Sequence, residues 1–299
     1  MKLIFMGTPA FTLPVLEALS TKHEILAIYT RAPKPAGHGM KMTKSAVHEW
    51  GENHNVPVYT PTTLKDEQVQ KQIADFGADA IIVYAYAMMI PTSVLNYTPK
   101  GCINIHPSLL PRWRGAAPMV RTIQAGDKET GVSLMRLDEG WDTGPVFTQE
   151  KVAITPDETP ETLRDKLNPL AVNMLMNLLD NFHEPIPQNE TGVCYAPKVE
   201  KAEFLIDWSL PAQQIERNIR AFEKCYFILN GKRVKVLKAK VLDGTGTAGT
   251  TIDDELRVAC GEGILDLEIL QKEGKNPTSK HDFLLGTKVP KGINLCAIN

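Results

Sequence analysis

The sequence predicts a two-domain α/β protein: a mostly parallel sheet, followed by a small OB-like β-barrel. Its 299 residues exceed the usual length of one domain. Apolar strand-like segments alternate with helical segments through residues 1–188, the order of a parallel sheet. Residues 207–299 contain short strand-like segments between glycine turns, as small barrels do. Residues 189–206 are the predicted linker.

The first domain is expected to begin with a strand at residues 2–6, a helix at 11–20 and a second strand at 24–30. Further strands are predicted at 56–59, 78–91, 101–106, 130–137 and 145–154, with helices at 45–54, 60–77, 115–125 and 160–182. Pro169 should kink or divide the last helix because it has no N–H to donate. A single glycine after the first strand, Gly7, does not indicate a dinucleotide fingerprint.

The second domain opens with a capped helix at residues 209–222 and a hairpin at 227–242, whose turn is Asn230-Gly231. Eight basic residues and one acidic residue lie between Arg217 and Lys240. Alternation along the hairpin predicts one charged face, formed by residues such as Lys232, Arg233 and Lys235, that could follow a phosphate backbone. The alternative is a solvated lysine-rich strand.

Composition favours an ordinary cytoplasmic protein with local rather than global charge. The net charge is −2, and no segment is apolar enough for a signal peptide or a membrane span. Five scattered cysteines with no CxxC spacing predict free thiols, and the histidines show no HxH or HExxH pattern. We therefore expect no metal, and we expect a two-domain protein of this kind to be a monomer.

Three polar residues are expected to meet beyond the strand ends. Asn104 and His106 are two residues apart on one predicted strand, so their side chains point to the same side. Asp142 lies in the acidic loop DEGWDTG. An amide beside an imidazole suits a developing oxyanion, and a carboxylate can orient the ring. Taken singly, the histidine could be a satisfied strand-end residue and the aspartate a turn former.

A basic segment follows the second strand, RAPKPAGHGMKMTKS at residues 31–45. It contains Arg31, Lys34 and Lys41 and no acidic residue. It is either a solvated surface loop or a mobile arm for phosphates.

Several motifs together resemble the methionyl-tRNA formyltransferase family. They are FMGTP (5–9), PAGHGMK (35–41), SLLPRWRGAAP (108–118), TGVSLMRLDEGWDTG (130–144) and IDWS (206–209). The NxH pattern with a downstream aspartate is shared by all folate-dependent formyltransferases and related hydrolases. RWRGAAP and the C-terminal domain are more specific to the tRNA enzyme.

The resemblance implies a doubly wound, Rossmann-like first domain. It implies 10-formyltetrahydrofolate as the formyl donor and the amine of initiator methionyl-tRNA as the acceptor, with Asn104, His106 and Asp142 catalytic. It implies a folate-contacting loop of Ser108, Leu109, Leu110 and Pro111, and a second loop of Tyr86, Ala87, Met88 and Ile90 near the pteridine. Residues expected to contact tRNA are Arg31, Lys34, His38, Lys41, Arg112, Arg114, Arg217, Lys232, Arg233 and Lys235. For Arg112 and Arg114, bracing of their own loop is an equal alternative.

Two other functions compete with this interpretation. The same trio could serve a folate-dependent formyltransferase acting on an amino sugar nucleotide or on glycinamide ribotide, although a small acceptor needs no basic arm or hairpin. A non-enzymatic RNA-binding protein would be expected to have lost the polar trio.

Overall fold

The computed structural model describes residues 1–36 and 41–296, so His38 lies outside the described residues. The chain divides into two compact units. The first contains residues 1–115, 129–153 and 164–195, and the second contains residues 116–128, 154–163 and 196–299.

The chain forms strands and helices in alternation through its first half and mainly strands near its end. The strands are β1 (Lys2–Gly7), β2 (Glu24–Tyr29), β3 (Lys34–Ala36), β4 (Lys41–Thr43), β5 (Val58–Tyr59), β6 (Ala80–Tyr84), β7 (Cys102–His106), β8 (Arg114–Gly115), β9 (Glu129–Arg136), β10 (Val146–Ala153), β11 (Tyr195–Ala196), β12 (Tyr226–Leu229), β13 (Lys232–Leu242), β14 (Arg257–Ala259), β15 (Ile264–Lys272) and β16 (Thr278–Ser279). The helices are α1 (Leu13–Lys22), α2 (Ala46–Asn53), α3 (Glu67–Asp75), α4 (Thr92–Leu95), α5 (Pro118–Ala125), α6 (Pro160–Asp180), α7 (Ala212–Phe222) and α8 (Lys280–Leu285). Short 3₁₀ turns cover Ala10–Thr12 and Lys201–Phe204.

The first unit is built on a seven-stranded sheet of order β10-β9-β7-β6-β1-β2-β5. The five strands from β7 to β5 pair in parallel, whereas β9 runs antiparallel to both of its neighbours. β2 pairs with one side of β1. β6, which comes later in the chain, pairs with the other side of β1, and β7 pairs with β6. The order reverses between β1 and β6, and ligands of such sheets bind beyond the strand ends at this reversal. The mostly parallel α/β prediction is confirmed.

The centre of this sheet is buried on both faces, as parallel sheets require. Leu3, Ile4 and Phe5 of β1 and Ile81 and Ile82 of β6 have no exposed surface. At the ends of these strands, Gly7 lies opposite Tyr84. A Cβ at position 7 would lie 2.8 Å from the Tyr84 carbonyl oxygen, so only glycine allows this approach of the two strands.

Two predicted elements differ in the structure. The basic segment is not simply a loop, because its ends pair as an antiparallel ladder between β3 and β4. Pro169 lies inside α6, which continues from Pro160 to Asp180, so of the two predicted effects of this proline, a kink or a division, the division is wrong.

The second unit is mainly β-stranded. Its sheet has the order β12-β13-β15-β14, with β16 also paired to β15. The Asn230-Gly231 turn of the first hairpin has positive φ at both residues, 51° and 71°, as the sequence pattern predicts. Helix α5, from the middle of the chain, packs in this unit against α7, where Gln214 Nε2 donates to the Gln124 carbonyl oxygen at 3.0 Å.

In the described part of the chain, no helix combines the length and apolar character needed to cross a membrane.

The buried sheet centre gives a stability prediction. Ile82 has no exposed surface in β6, whereas the side chain of Ile186 is largely exposed. Ile82→Ala should lower the free energy of unfolding by about 2–5 kcal/mol, because the substitution leaves a cavity in the core. Ile186→Ala, the same chemical change, should cost less than about 0.5 kcal/mol. Urea denaturation followed by circular dichroism measures both, and equal losses would contradict the assignment of the core.

Candidate active site

The candidate site lies where β6 and β7 end, beside the reversal of the sheet order. Asn104 and His106 lie on β7, and both pair with β9, opposite Met135 and Ser133. Because strand residues two apart share a face, β7 presents the amide and the imidazole on one side. The His106 side chain is buried, and that of Asn104 is half-buried.

The His106 ring is fixed from both of its nitrogens. Nε2 lies 2.9 Å from the Trp113 carbonyl oxygen. A carbonyl can only accept a hydrogen bond, so Nε2 carries a proton and Nδ1 is the atom that can gain or lose one. Nδ1 faces Asp142 Oδ2 at 3.7 Å, which is beyond hydrogen-bond range but close enough for the carboxylate to stabilise a charged ring.

Asp142 is constrained by a hydrogen bond to its side chain and has an unusual main-chain conformation. Oδ2 accepts a hydrogen bond from the Gly115 N–H at 2.8 Å. Its φ of 54° is left-handed, a conformation that costs a non-glycine residue about 1–3 kcal/mol unless the surroundings impose it. The structure therefore brings the predicted carboxylate to the predicted imidazole.

Asn104 differs from these two residues in having an uncommitted side chain. Among residues 1–36 and 41–296, its amide has no hydrogen-bond partner, although the side chain is half-buried. An amide left without a partner at a partly buried site is a donor available to a ligand.

The loop from Ser108 to Pro111 is fixed by two polar side chains, the buried Ser133 and the exposed Gln149. The Ser133 hydroxyl donates to the Ser108 carbonyl oxygen at 2.6 Å and accepts from the Leu110 N–H at 3.1 Å. Gln149 Nε2 donates to the same hydroxyl and to the Leu110 carbonyl oxygen, both at 2.8 Å. The loop is thus fixed to β9 and β10.

The second predicted loop, Tyr86 to Ile90, packs against a core cluster of the sheet. Tyr86 belongs to this cluster, and Met88 and Ile90 lie against it. Burial raises the pKa of the Tyr86 hydroxyl to about 12, so the hydroxyl stays protonated and donates to Met88 Sδ at 3.7 Å. Arg31 Nη2 donates to the Ala87 carbonyl oxygen at 3.1 Å, so this arginine contacts the loop as well as starting the basic segment.

The two arginines of the RWRG motif occupy different environments. Arg112 is exposed, and its guanidinium lies 4.6 Å from the centre of the Trp113 ring. Arg114 is buried, and its guanidinium donates to Gln188 and to Glu190. Of the two roles open for Arg114, these contacts favour bracing of the loop.

The remaining basic residues lie on two surfaces. Lys34 and Lys41 are exposed at the paired ends of the basic segment. In the second unit, Arg217 Nη1 donates to the Ala125 carbonyl oxygen at 3.4 Å. Lys232, Arg233 and Lys235 are exposed on β13, and the Arg233 guanidinium lies 4.8 Å from the centre of the Tyr226 ring.

The exposed basic side of β13 continues beyond the residues named in the prediction. Lys238 and Lys240 are also exposed. The register with β15 shifts between Val236 and Lys238, where β13 contains one extra residue, so the exposed positions change from odd to even numbers. Because Lys235 pairs with Gln271 and Lys238 with Ile269, two residues along β15, the basic residues lie on one side of the strand.

The described residues contain no group of three or more histidine, cysteine, aspartate or glutamate side chains that could hold a metal ion. Sequence reasoning missed Ser133, Gln149 and Gln188. Ser133 lies within the segment TGVSLMRLDEGWDTG, but that motif does not indicate its role, and Gln149 and Gln188 lie in none of the quoted motifs. Each of the three acts on the main chain of a loop distant in sequence.

Comparison with known proteins defines the class. Residues 1–179 match the family model described as formyl transferase, and residues 198–288 match the model of the formyl transferase C-terminal domain. The sheet with its strand-end site, followed by a β-rich unit, is thus that of a formyl transferase.

Full-length relatives narrow the class. The chain is 43% identical to a methionyl-tRNA formyltransferase of Cereibacter sphaeroides over 297 residues, which cover 98% of each protein. It is 44% identical to a methionyl-tRNA formyltransferase of Brucella abortus over 304 aligned positions, covering 97% of this chain and 99% of that protein. The chain belongs to the methionyl-tRNA formyltransferase family.

Solved structures share the fold at lower identity. An N-formyltransferase of Helicobacter canadensis, solved with folinic acid and dTDP-3-aminofucose, has a TM-score of 0.64 at 19% identity and covers 91% of this chain and 99% of its own. HypX of Aquifex aeolicus, solved with tetrahydrofolic acid, has a TM-score of 0.64 at 16% identity and covers 95% of this chain but 47% of its own.

The bracing of the Ser108 loop gives a second stability prediction. Ser133→Ala removes one hydroxyl and leaves the Ser108 carbonyl, the Leu110 N–H and one Gln149 N–H without that partner. The free energy of unfolding should fall by about 1–3 kcal/mol, the cost of unsatisfied buried groups. The control is Ser20→Ala, since the exposed Ser20 hydroxyl donates only to the Glu17 carbonyl oxygen. Urea denaturation compares them, and a loss no greater than that of the control would contradict the bracing role.

Proposed function

We propose that this protein transfers the formyl group of 10-formyltetrahydrofolate to the α-amino group of initiator methionyl-tRNA, in the cytoplasm. The observation that carries the proposal is the end-to-end similarity to relatives named methionyl-tRNA formyltransferase, at 43% and 44% identity. The polar trio at the strand ends supports the same chemistry. Resemblance to the sugar N-formyltransferases, at 17% and 19% identity, extends only to the fold.

The residues at the strand ends fit a folate donor. Two fixed loops, Tyr86 to Ile90 and Ser108 to Pro111, follow adjacent strands β6 and β7. Between apolar side chains of these loops a ring system can be buried, and the uncommitted Asn104 amide is available to a carbonyl oxygen. The folate supplies the formyl group at its N10 position.

Each member of the trio has a role that its geometry permits. Asn104 Nδ2 donates to the oxygen on which negative charge develops as the amine attacks the formyl carbon. As the amine bonds to the formyl carbon, the bond from that carbon to N10 breaks and tetrahydrofolate leaves. His106 Nδ1 takes up a proton that the amine loses and passes one to N10, since Nε2 is committed to Trp113. Asp142 stabilises the charged ring across 3.7 Å and helps to accept the proton that leaves the amine.

The acceptor is recognised through phosphate contacts away from this trio. Lys34 and Lys41, and the exposed basic residues of β13, are spaced along strands and present charge without a fold-wide excess of basic residues. Such local charge suits a polyanion whose reactive end must reach a particular site.

The assay that tests the function supplies 10-formyltetrahydrofolate and charged initiator tRNA, and detects formyl-methionine after hydrolysis of the ester. An amino sugar nucleotide and glycinamide ribotide serve as alternative acceptors in parallel. Transfer to one of the small acceptors but not to the tRNA would overturn the proposal.

Asn104→Ala tests the role of the amide. Turnover should fall by about 10²- to 10³-fold, the usual cost of one oxyanion donor, with little change in the KM for tRNA. Asn181→Ala is the control, because among the described residues the exposed Asn181 amide bonds only to Asn177, one turn earlier in the chain. Near-normal turnover of Asn104→Ala would remove Asn104 from the mechanism.

A double substitution tests the basic segment. Lys34→Ala with Lys41→Ala should raise the KM for tRNA and flatten its dependence on salt, by about 0.7–0.9 in the logarithmic slope for each phosphate that a lysine no longer neutralises. Lys22→Ala with Lys151→Ala removes the same charge from exposed surface ion pairs and should leave both unchanged. An unchanged salt slope in the first variant would exclude phosphate binding by these lysines.

A further inference from the structure

The contacts of Gln188 point to a positioning residue that the catalytic trio does not include. We infer that Gln188, supported by Arg114, sets the position of the Asp142 carboxylate opposite His106. The inference rests on the proposed function, because it assumes that Asp142 acts in catalysis.

The Gln188 amide uses its whole hydrogen-bonding capacity. Nε2 donates to the carbonyl oxygens of Asp142 and Gly144, both at 2.8 Å. Oε1 accepts from Arg114 Nε at 3.1 Å and from Arg114 Nη2 at 2.9 Å. Two donors and two acceptor sites are all that a side-chain amide offers.

These partners leave only one orientation of the amide. A guanidinium can only donate, so it must face the amide oxygen, and carbonyls can only accept, so they must face the amide nitrogen. Arg114 thus fixes which end of Gln188 meets the Asp142 loop. The Arg114 guanidinium is itself buried, and its Nη2 also donates to Glu190 at 3.1 Å, so a second side chain helps to hold it.

The main chain that Gln188 bonds has an unfavourable conformation at one residue and very close packing at another. Asp142 has left-handed φ, and Gly144 packs so closely that an added Cβ would lie 1.9 Å from the Arg136 carbonyl oxygen. Gln188 binds the carbonyl groups on both sides of Thr143, and the Gly115 N–H binds the Asp142 carboxylate. We call these three hydrogen bonds the Asp142 clamp. The separation of 3.7 Å between Asp142 Oδ2 and His106 Nδ1 depends on this clamp.

Gln188→Glu breaks the clamp with the smallest change of shape. The acceptor for Arg114 remains, but a carboxylate oxygen replaces the donor opposite two carbonyl oxygens. Because a displacement of about 1 Å in a catalytic group can cost about 10²-fold, we expect turnover to fall by about 10- to 100-fold. The KM values for folate and tRNA should stay within about twofold of the original.

A matched control is available in the same unit. Gln70 Nε2 also donates to a main-chain carbonyl, that of Leu64 at 2.9 Å, and Gln70 Oε1 also accepts from a side chain, that of Ser93 at 2.8 Å. Gln70→Glu therefore makes the same chemical change away from Asp142, and should leave turnover within about twofold. Gln188→Met removes the amide without adding charge and serves if Gln188→Glu does not fold.

A double-mutant cycle separates positioning from a general loss of structure. Asp142→Asn alone should lower turnover, and adding Gln188→Glu to it should lower turnover by less than about threefold more, because the residue that Gln188 positions is already altered. The inference would be overturned if turnover of the double variant fell by the product of the two single-variant reductions. Near-normal turnover of both Gln188 variants would also overturn it. Near-normal turnover of Asp142→Asn itself would instead overturn the catalytic role proposed for Asp142, whatever Gln188 does.

Discussion

The parallel pairing of β1 with β6 is the constraint on which the site depends. It places the reversal of strand order between these two strands, so the loops that follow them diverge and leave space at the sheet edge. At the last paired position of the two strands, Gly7 allows the Tyr84 carbonyl to approach because glycine has no side chain. β7 adds in parallel to β6 and delivers Asn104 and His106 to the same edge.

A rigid sheet edge alone would not hold the two loops around His106 in one arrangement, and polar side chains fix them in place. Ser133 and Gln149 fix the loop after β7, and Gln188 with Arg114 fixes the loop that carries Asp142. In both places a side chain bonds the main chain of a distant loop. Such bonds are stronger in a low-dielectric surrounding and are costly to leave unmade, so they specify one loop conformation. Asn104 is the exception: its amide has no partner among the described residues, which is consistent with the proposed role of this amide as a donor to the substrate.

Sequence reasoning could reach the sheet and the trio because both rest on local patterns. Apolar runs of strand length, the two-residue spacing of Asn104 and His106, and the Asn230-Gly231 turn each have a direct physical reading. Gln188 could not be found this way, since its importance comes from four hydrogen bonds to residues more than 40 positions away. The pairing of Lys34 to Ala36 with Lys41 to Thr43 was missed for a related reason, because proline and glycine near the segment favour a loop.

The environments of the arginines show why charge in a sequence is a weak guide to a binding surface. Arg112 and Arg114 differ by two positions, yet one is exposed and the other is nearly enclosed by Gln188 and Glu190. Burying a guanidinium is costly unless its donors are directed to acceptors, and Arg114 directs Nε and Nη2 to an amide oxygen and a carboxylate. An arginine committed in this way contributes shape to the Asp142 loop. The proposed phosphate binding then falls to exposed basic residues, which the chain presents on β13 and at the paired ends of the basic segment.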